Sequence, residues 1–247
     1  MDGIYFNNAQ NYNIQNANIK RTYDNASSVV FQSEFNKNLI IKWFDIPKNS
    51  AVIHNGADLE KINSIKPLQN LILDKYDKVW VCASQWRPHK RLSENIRYFL
   101  EHSSSKDCLV IAGKADSKPI QDKRLFYVGN LRIDELISLY KKASYMIHLA
   151  WLDHCPNVVV DARASGCQIV CSSAGGTVEV SGTDAIVIEE NKWDYEPVNL
   201  YTPPELDFSK KNKNIWNIDL NMEKVAEKYA KLLSGEYNED NKKFTTR

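Results

Sequence analysis

Short apolar runs rich in β-forming residues alternate with amphipathic segments from about residue 78 onward. Each run is hydrophobic on both faces, which is typical of strands buried in a sheet that is covered on both sides. The segments between the runs repeat apolar residues every three or four positions, which predicts helices with one buried face. The predicted strands are residues 78–84, 107–112, 124–128, 144–149, 167–172 and 185–188, and the predicted helices are residues 91–101, 134–143 and 157–165.

This alternation predicts an α/β fold, with a doubly wound parallel Rossmann-like sheet over residues 77–192. Residues 1–76 predict only a partial N-terminal βαβ unit and a linker, and this unit is too small to bury a sheet by itself. Its predicted elements are a helix at 12–25, a strand at 28–32, a helix at 34–44, a strand at 51–53 and a linker at 62–77. Residues 193–247 predict an irregular proline-containing segment, a helix at 222–233 and a charged, disordered tail.

The composition narrows the class of protein. Apolar residues make up 43% and charged residues 26% of the 247 positions, a globular mixture that excludes wholesale disorder. The chain has 32 Lys and Arg against 31 Asp and Glu, a net charge of +1. Proteins held by bulk charge on nucleic acid or anionic lipid are normally more basic, so we expect no nucleic-acid partner. No apolar run approaches the roughly 18–20 residues of a membrane span, so we expect no integral membrane segment.

The start of the chain and its cysteines predict a cytoplasmic protein. The first ten residues lack the basic and apolar regions of a signal peptide. The five cysteines are odd in number and lie mostly in apolar runs, which is typical of reduced thiols in a core. Cys167 and Cys171 do not have zinc-ligand spacing, and no second Cys/His pair accompanies them, so no metal site is predicted.

Cations, small residues and a helix start follow the predicted strands. Ligands of an open parallel sheet bind beyond the carboxyl ends of its strands, so these residues should meet at one edge. Arg87 and Lys90 could neutralise phosphates, and the amides that open the helix at Asn157 and Val158 could face an anion. Gly176 and the glycine before it would let the backbone approach closely. We therefore predict a phosphorylated ligand.

Two acids add a second indication. Asp153 precedes the helix at 157–165, and Asp161 lies one turn inside it, with seven residues between them. Asp161 is flanked by Val160 and Ala162, so its carboxylate needs hydrogen-bond donors, and the cis-diol of a ribose would supply two. The alternative is that Asp153 is an ordinary loop residue and Asp161 a solvated or salt-bridged helix acid.

Residues 153–166 (DHCPNVVVDARASG) resemble the E-x7-E region of family 4 glycosyltransferases, which is followed by a strand and a Gly-Gly-x-x-Glu turn. The turn is matched by residues 175–179 (GGTVE). Four further segments resemble family motifs in the same order, so that the resemblance covers residues from about 25 to 190. These segments are residues 28–35 (SVVFQSEF), 53–58 (IHNGAD), 87–91 (RPHKR) and 127–136 (YVGNLRIDEL).

The resemblance implies the C-terminal, donor-binding half of a GT-B fold, preceded by the end of the N-terminal, acceptor-side domain. It implies retaining transfer of a sugar from a nucleotide-diphosphate sugar, without a metal or other cofactor, to an acceptor that is a glycan, lipid or protein. The absence of an Asp-x-Asp pair agrees with metal independence. By position, Asp161 would hold the ribose, Asp153 would lie near the donor sugar and the reacting centre, and Lys90 would bind the diphosphate.

Other positions take their expected roles from the same resemblance. The amides of Asn157 and Val158 would bind the diphosphate, and Gly129 and Asn130 would lie beside the base. Further candidates for donor contacts are Arg87, Gln85, His154 and Gly176.

Three departures from the family pattern leave alternatives open. Asp153 and Asp161 stand where the family has glutamates. Gln85 stands where the family has an arginine that binds phosphate, so Arg87 would have to bind the same phosphates instead. Most of the N-terminal domain is missing, so a partner chain or a second copy could complete it. A nucleotide-sugar-binding module without transfer activity is therefore the alternative. A dehydrogenase or sugar epimerase is disfavoured, because no G-x-G-x-x-G follows the first strand.

Overall fold

The computed structural model describes residues 1–114 and 120–237, and within them nine strands alternate with eight α-helices. The strands are β1 (Val29–Phe31), β2 (Ser50–Val52), β3 (Val79–Ala83), β4 (Cys108–Ala112), β5 (Leu125–Gly129), β6 (Tyr145–His148), β7 (Gln168–Ser172), β8 (Ile186–Ile188) and β9 (Lys211–Lys213). The helices are α1 (Tyr12–Asp24), α2 (Glu34–Phe44), α3 (Leu59–Ser64), α4 (Leu92–His102), α5 (Ile133–Lys142), α6 (Asn157–Ala164), α7 (Thr177–Val180) and α8 (Met222–Ser234).

The predicted strands from residue 78 onward form one sheet with the order β5-β4-β3-β6-β7-β8-β9. All neighbouring pairs are parallel except β8 and β9, which run antiparallel. Alternate residues of β3 pack into different layers: Val81 belongs to a core cluster with Ile137 and Val159, and Trp80 to another with Phe99. Helices therefore cover both faces of the sheet, which confirms the predicted doubly wound α/β class.

The first two strands make a separate parallel pair, in which Val29 lies opposite Ser50. Between them, α2 begins after Ser33, whose hydroxyl accepts the amide of Asn36 at 3.0 Å, and it buries Leu39 on the apolar layer. This pair is the predicted βαβ unit. Its core cluster includes Trp151, Leu152 and Ala174 of the larger sheet, so the unit is buried against the loops at the carboxyl ends of β6 and β7.

The final helix, α8, packs against the βαβ unit. Val225 of α8 packs on Ala51 and Ile53, and the Ala57 amide donates to the Leu220 carbonyl at 2.7 Å. The predicted helix at 222–233 is thus confirmed, with Gly235 ending it in a left-handed conformation. The predicted tail falls largely on residues 238–247, which lie outside the described residues.

Several short elements were not predicted. The linker expected at 62–77 begins inside α3, whose start is capped by Asp58, and it also contains a 3-10 turn at Leu73–Lys75. The short α7 follows Gly176. In the segment expected to be irregular after residue 193, β9 pairs with β8 through backbone groups, and its side chains are exposed polar ones that give no apolar signal. The expectation of an entirely irregular segment was therefore wrong.

All five cysteines are buried free thiols, as predicted for core residues. No helix in the described part of the chain combines the length and hydrophobicity that crossing a membrane requires.

Gly113 ends β4 at a place where a side chain has no room. Its φ is +103°, and a Cβ built there would lie 1.8 Å from the Ser84 carbonyl oxygen. We expect Gly113→Ala to lower the free energy of unfolding by about 2–3 kcal/mol, through positive-φ strain and displacement of the β3 end. Gly235→Ala is the control, because its φ is +78° but nothing lies within 4 Å of the new Cβ. Urea denaturation of both variants measures the difference, and equal losses would contradict the steric argument.

Candidate functional site

Two clefts meet at the start of α6, at the carboxyl edge of the sheet. The Lys90 cleft, of about 330 Å³, lies between the loops after β3 and β6. The Asp161 cleft, of about 710 Å³, lies between α3, α5, α6, α8 and the βαβ unit. Asn157 lines both clefts. The Lys90 cleft is lined by Ser84, Gln85, Arg87, Lys90, His148, Asp153, Pro156, Asn157 and Val158.

The strands β3 and β6 are neighbours in the sheet, but the chain leaves them toward opposite sides, β3 pairing onward with β4 and β6 with β7. Loops after such neighbours separate and leave a crevice between them, the usual ligand site of open α/β sheets. The Lys90 cleft occupies this crevice, as the sequence predicted for the cations and the helix start.

In the Lys90 cleft, Asp153 pairs with Lys90, and His148 contacts the same carboxylate. The Lys90 ammonium lies 2.5 Å from Asp153 Oδ2, and His148 Nε2 lies 2.9 Å from the same oxygen. The other oxygen, Oδ1, accepts the backbone amide of His154 at 3.1 Å. The Asp153 carboxylate is therefore bonded on both oxygens, and its side chain is only 14% exposed.

The protonation states follow from burial and from these contacts. Burial alone would raise the pKa of Asp153, but the His148 hydrogen bond and the Lys90 charge outweigh it and hold that pKa well below its usual range. Burial lowers the pKa of His148, although its hydrogen bond to Asp153 acts in the opposite direction. Burial and the Lys90 charge also lower the pKa of His89, to about 4. At neutral pH the cleft thus contains an ion pair beside neutral imidazoles.

A buried arginine fixes the loop that carries Lys90. Lys90 ends a 3-10 turn at Pro88–Lys90, and Arg91 follows with a left-handed φ of 52°. The Arg91 guanidinium makes two 2.8 Å hydrogen bonds to the Glu190 carboxylate, in the bidentate geometry typical of strong arginine pairs. Asn95 adds a hydrogen bond of 3.1 Å to the Lys90 carbonyl. Lys90 therefore extends from a rigid backbone.

The start of α6 offers two backbone donors to the Lys90 cleft. The helix follows Pro156, which supplies no side-chain cap. Within the described residues, the amides of Asn157 and Val158 make no hydrogen bond. Unbonded amides and the helix dipole at this position favour an anion.

The Asp161 carboxylate opens into the larger cleft and has no hydrogen-bond or salt-bridge partner in the part of the chain that the structure describes. Burial raises its pKa to about 6, and the nearby Lys61 charge counteracts only part of that effect. Lys61 itself is paired with Asp134 at 2.9 Å. Asp161 is therefore not the salt-bridged helix acid of the alternative interpretation, and its ribose role stays a prediction.

The βαβ unit holds the loop between the two acids. Ser33 Oγ donates to the His154 carbonyl at 2.7 Å, and Asn36 Nδ2 lies 2.9 Å from His154 Nδ1. Asn55 Nδ2 donates to Asn157 Oδ1 at 2.7 Å. Burial lowers the pKa of His154 to about 4, which agrees with its packing among the rings of the unit. His154 thus faces the βαβ unit and lines neither of the two clefts.

Glu179 makes buried hydrogen bonds to the βαβ unit. Its carboxylate accepts the amides of Glu34 at 2.8 Å and Phe35 at 2.9 Å, the first two residues of α2. The same carboxylate lies 2.7 Å from Nε2 of the buried His54. One acid of α7 therefore caps α2 of the βαβ unit.

Three other predicted donor contacts also lie outside the two clefts. Gly176 donates its amide to the Asp153 carbonyl at 2.7 Å, and a Cβ on it would lie 1.9 Å from the His154 carbonyl oxygen, so its close approach is to the protein itself. Gly129 ends β5, and Asn130 follows it as an exposed residue. Their contacts with a ligand stay predictions.

Sequence reasoning missed several residues of the site. A histidine inside an apolar strand is expected to be a core residue, and nothing in the sequence around His148 indicates the acid that it contacts. Sequence reasoning also gave no role to Asn55, which is part of a turn signal. Among the described residues, no group of three or more His, Cys, Asp or Glu side chains is placed to hold a metal ion.

Comparison with known proteins adds a family match over part of the chain and a fold. Residues 77–195 match the family described as glycosyl transferases group 1. No curated protein sequence matches the chain. Solved glycosyltransferase structures share the GT-B arrangement of Rossmann-like sheets, and this chain corresponds to part of them.

Three solved structures illustrate the likeness. Sucrose-phosphate synthase from Thermosynechococcus elongatus has a TM-score of 0.61 at 16% identity, over 74% of this chain and 50% of its own. HepE from Anabaena, in complex with UDP-glucose, has a TM-score of 0.65 at 15% identity, over 90% and 68%. A UDP-forming trehalose-phosphate synthase from Burkholderia xenovorans has a TM-score of 0.54 at 15% identity, over 75% and 53%. These likenesses establish the fold, and the chain spans half the length of the first protein.

Proposed function

Because residues 77–195 match the glycosyl transferases group 1 family, we propose that this chain is the donor-binding part of a retaining, metal-independent glycosyltransferase. It would transfer a sugar from a nucleotide-diphosphate sugar to a glycan, lipid or protein. One observation carries the proposal: the cationic Lys90 cleft, with its unbonded helix amides, continues at Asn157 into the cleft that holds the unbonded Asp161 carboxylate.

Each cleft matches one part of such a donor. A diphosphate fits the Lys90 ammonium, Arg87 and the amides of Asn157 and Val158. The two hydroxyls of a ribose fit the Asp161 carboxylate, whose hydrogen-bonding capacity is otherwise unused. Fixed cations and amides stabilise the negative charge that grows on the leaving diphosphate, usually the largest contribution to such a transfer.

Protein cations at the diphosphate are the reason for proposing metal independence. The ammonium of Lys90 lies on a rigid loop where a metal would otherwise neutralise phosphate oxygens. We expect the transfer or hydrolysis of donor to be unchanged by EDTA. A rate that falls in EDTA and recovers with Mg²⁺ or Mn²⁺ would contradict this part of the proposal.

The choice of nucleotide rests on the structural neighbours. HepE was solved with UDP-glucose, and the trehalose-phosphate synthase is described as UDP-forming. We therefore expect uridine as the base and test guanosine beside it. A thermal-shift panel of UDP, GDP, UDP-glucose and GDP-mannose is the first experiment. If none raises the unfolding temperature, both donor binding and transfer are excluded.

A binding module without transfer activity is the second candidate. It is kept because the chain spans half the length of the sucrose-phosphate synthase whose fold it shares, so transfer by this chain is itself a proposal. A partner chain or a second copy of this chain would then complete the acceptor site. Slow hydrolysis of the bound donor, lost when Asp153 is replaced by alanine, would favour the enzyme, and donor binding without any hydrolysis would favour the module. A cytoplasmic location stays part of the proposal, supported by the five free thiols.

The raised pKa of Asp161 gives a prediction for pH. The free carboxyl titrates near pH 6, and the ribose hydroxyls need its ionised form. UDP-glucose is the suitable probe, because its diphosphate diester does not titrate in this range. We expect its affinity to fall by about tenfold between pH 7.5 and pH 5, as one proton must leave on binding. Isothermal titration with Asp161→Asn should show weaker binding that changes little with pH. An equal pH slope in both proteins would exclude Asp161 as the cause.

The same substitution should change stability in the opposite sense. The folded pKa of Asp161 lies above the unfolded value of 3.8, so the folded protein binds the extra proton between pH 4 and pH 6 and loses that stabilisation as the pH rises. Asp161→Asn should therefore raise the unfolding temperature at pH 7.5 and leave it nearly unchanged at pH 4. A fall in the unfolding temperature at pH 7.5 would contradict this account.

A further inference from the structure

The Asp153 carboxylate has little capacity left for a substrate. Oδ2 is bonded to both Lys90 and His148, and Oδ1 accepts the amide of the next residue, His154. An aspartate carboxylate lies one methylene closer to its own backbone than a glutamate, and this allows the bond to the adjacent amide. The ion pair with Lys90 is mostly sheltered, with side-chain exposures of 19% for Lys90 and 14% for Asp153.

His148 contacts the Asp153 carboxylate of the Lys90–Asp153 pair. It ends β6 and is buried, and burial lowers its pKa, so the ring is neutral at pH 7. A neutral imidazole carries one N–H, and only the tautomer protonated on Nε2 can donate across the 2.9 Å to Asp153 Oδ2. His148 is thus a fixed donor that orients a carboxylate.

We propose that His148 and Asp153 are positioning residues that hold the Lys90 ammonium at the site of the donor diphosphate, and that Asp153 acts through Lys90 rather than on the sugar hydroxyls. The inference rests on the proposed function, since it assigns Lys90 to the diphosphate. It adds a residue, His148, and changes the expected role of Asp153.

Positioning has a physical advantage for lysine. A free lysine side chain has four rotatable bonds, and ordering it during binding reduces affinity. Here contacts within the protein order the side chain, because Asp153 fixes the ammonium and His148 fixes Asp153. A diphosphate would meet a cation already in place.

The test compares two substitutions of His148 that differ in one hydrogen bond. His148→Leu removes the donor to Asp153, whereas His148→Gln keeps an N–H at a similar reach. Titration calorimetry with UDP and UDP-glucose, or with GDP and GDP-mannose if the panel selects guanosine, measures both variants beside the wild type. We expect His148→Leu to weaken the nucleoside diphosphate and its sugar ester by the same factor, about tenfold. His148→Gln should stay within about threefold of the wild type.

The comparison of the two probes separates the alternatives. If His148→Leu weakens only the sugar ester, Asp153 contacts the sugar and the positioning role is overturned. If both variants bind like the wild type, or if both lose affinity equally, the hydrogen bond is not the cause and the inference also fails, while the proposed function stands. If the wild type binds no nucleoside diphosphate, both fail together. Should His148→Leu not fold, His148→Asn, whose amide is too short to reach Asp153, takes its place with the same expected loss.

Discussion

Replacing Glu179 by alanine is expected to lower the free energy of unfolding by about 3–5 kcal/mol, the range typical of removing one partner from a buried, hydrogen-bonded charge. The Glu179 side chain is 4% exposed and bonds two backbone amides of α2 and the imidazole of His54. Its loss leaves the start of α2 without an acceptor and leaves His54 Nε2 buried without a partner. The βαβ unit should loosen from the sheet.

Glu196 provides a matched control for this prediction. It also joins the βαβ unit to a later segment, through Lys42 at 2.6 Å, but its side chain is 60% exposed. Exposed pairs of this kind contribute at most about 1 kcal/mol, so Glu196→Ala should change stability little. Urea unfolding of both variants measures the difference. A loss below about 1 kcal/mol in Glu179→Ala would show that the unit is held by its apolar contacts alone.

Replacing Lys90 by alanine is expected to weaken UDP by about 100-fold, which corresponds to about 2.7 kcal/mol. Two effects add in the same direction. The diphosphate loses its central cation, and Asp153 keeps its negative charge without the ammonium that neutralised it. Only Arg87 and the helix amides then remain to attract the anion, against the repulsion of Asp153.

A second substitution tests this account of the charge. In the double variant Lys90→Ala/Asp153→Asn the repulsive charge is gone, so UDP affinity should recover by about tenfold relative to Lys90→Ala. Lys192→Ala, which removes a cation from a separate cleft, is the control and should leave binding unchanged. Titration calorimetry with UDP measures all four proteins. A loss of less than threefold in Lys90→Ala would mean that the diphosphate binds elsewhere.

The sequence predicts the sheet well because its signal is local. Buried strands such as β3 and β4 are continuous apolar runs, and each is found within two residues of its predicted bounds. The strand β9 has no such signal, because its three exposed polar residues join the sheet through backbone hydrogen bonds alone.

The site is predictable only in part for a similar reason. Lys90, Asp153 and Asn157 follow strands or open a helix, so topology brings them to one edge. Asp161 is flanked by apolar residues, which indicated its partial burial. The contact of Glu179 joins segments that are distant in sequence, since it reaches α2 across 145 residues. His148 meets Asp153, only five residues away, because of the conformation of the loop between them. The hydrophobic periodicity of the sequence does not indicate these side-chain contacts.

The strand β9 also limits how the protein can associate with itself. A sheet with an open edge can pair with the edge of another molecule and so begin an aggregate. Here the last strand is Lys211–Lys213, paired on one side with β8 and carrying two lysines with exposed side chains. Two such edges approaching each other bring like charges together, which opposes pairing. The lysines of β9 therefore protect this margin of the sheet against edge-to-edge polymerisation.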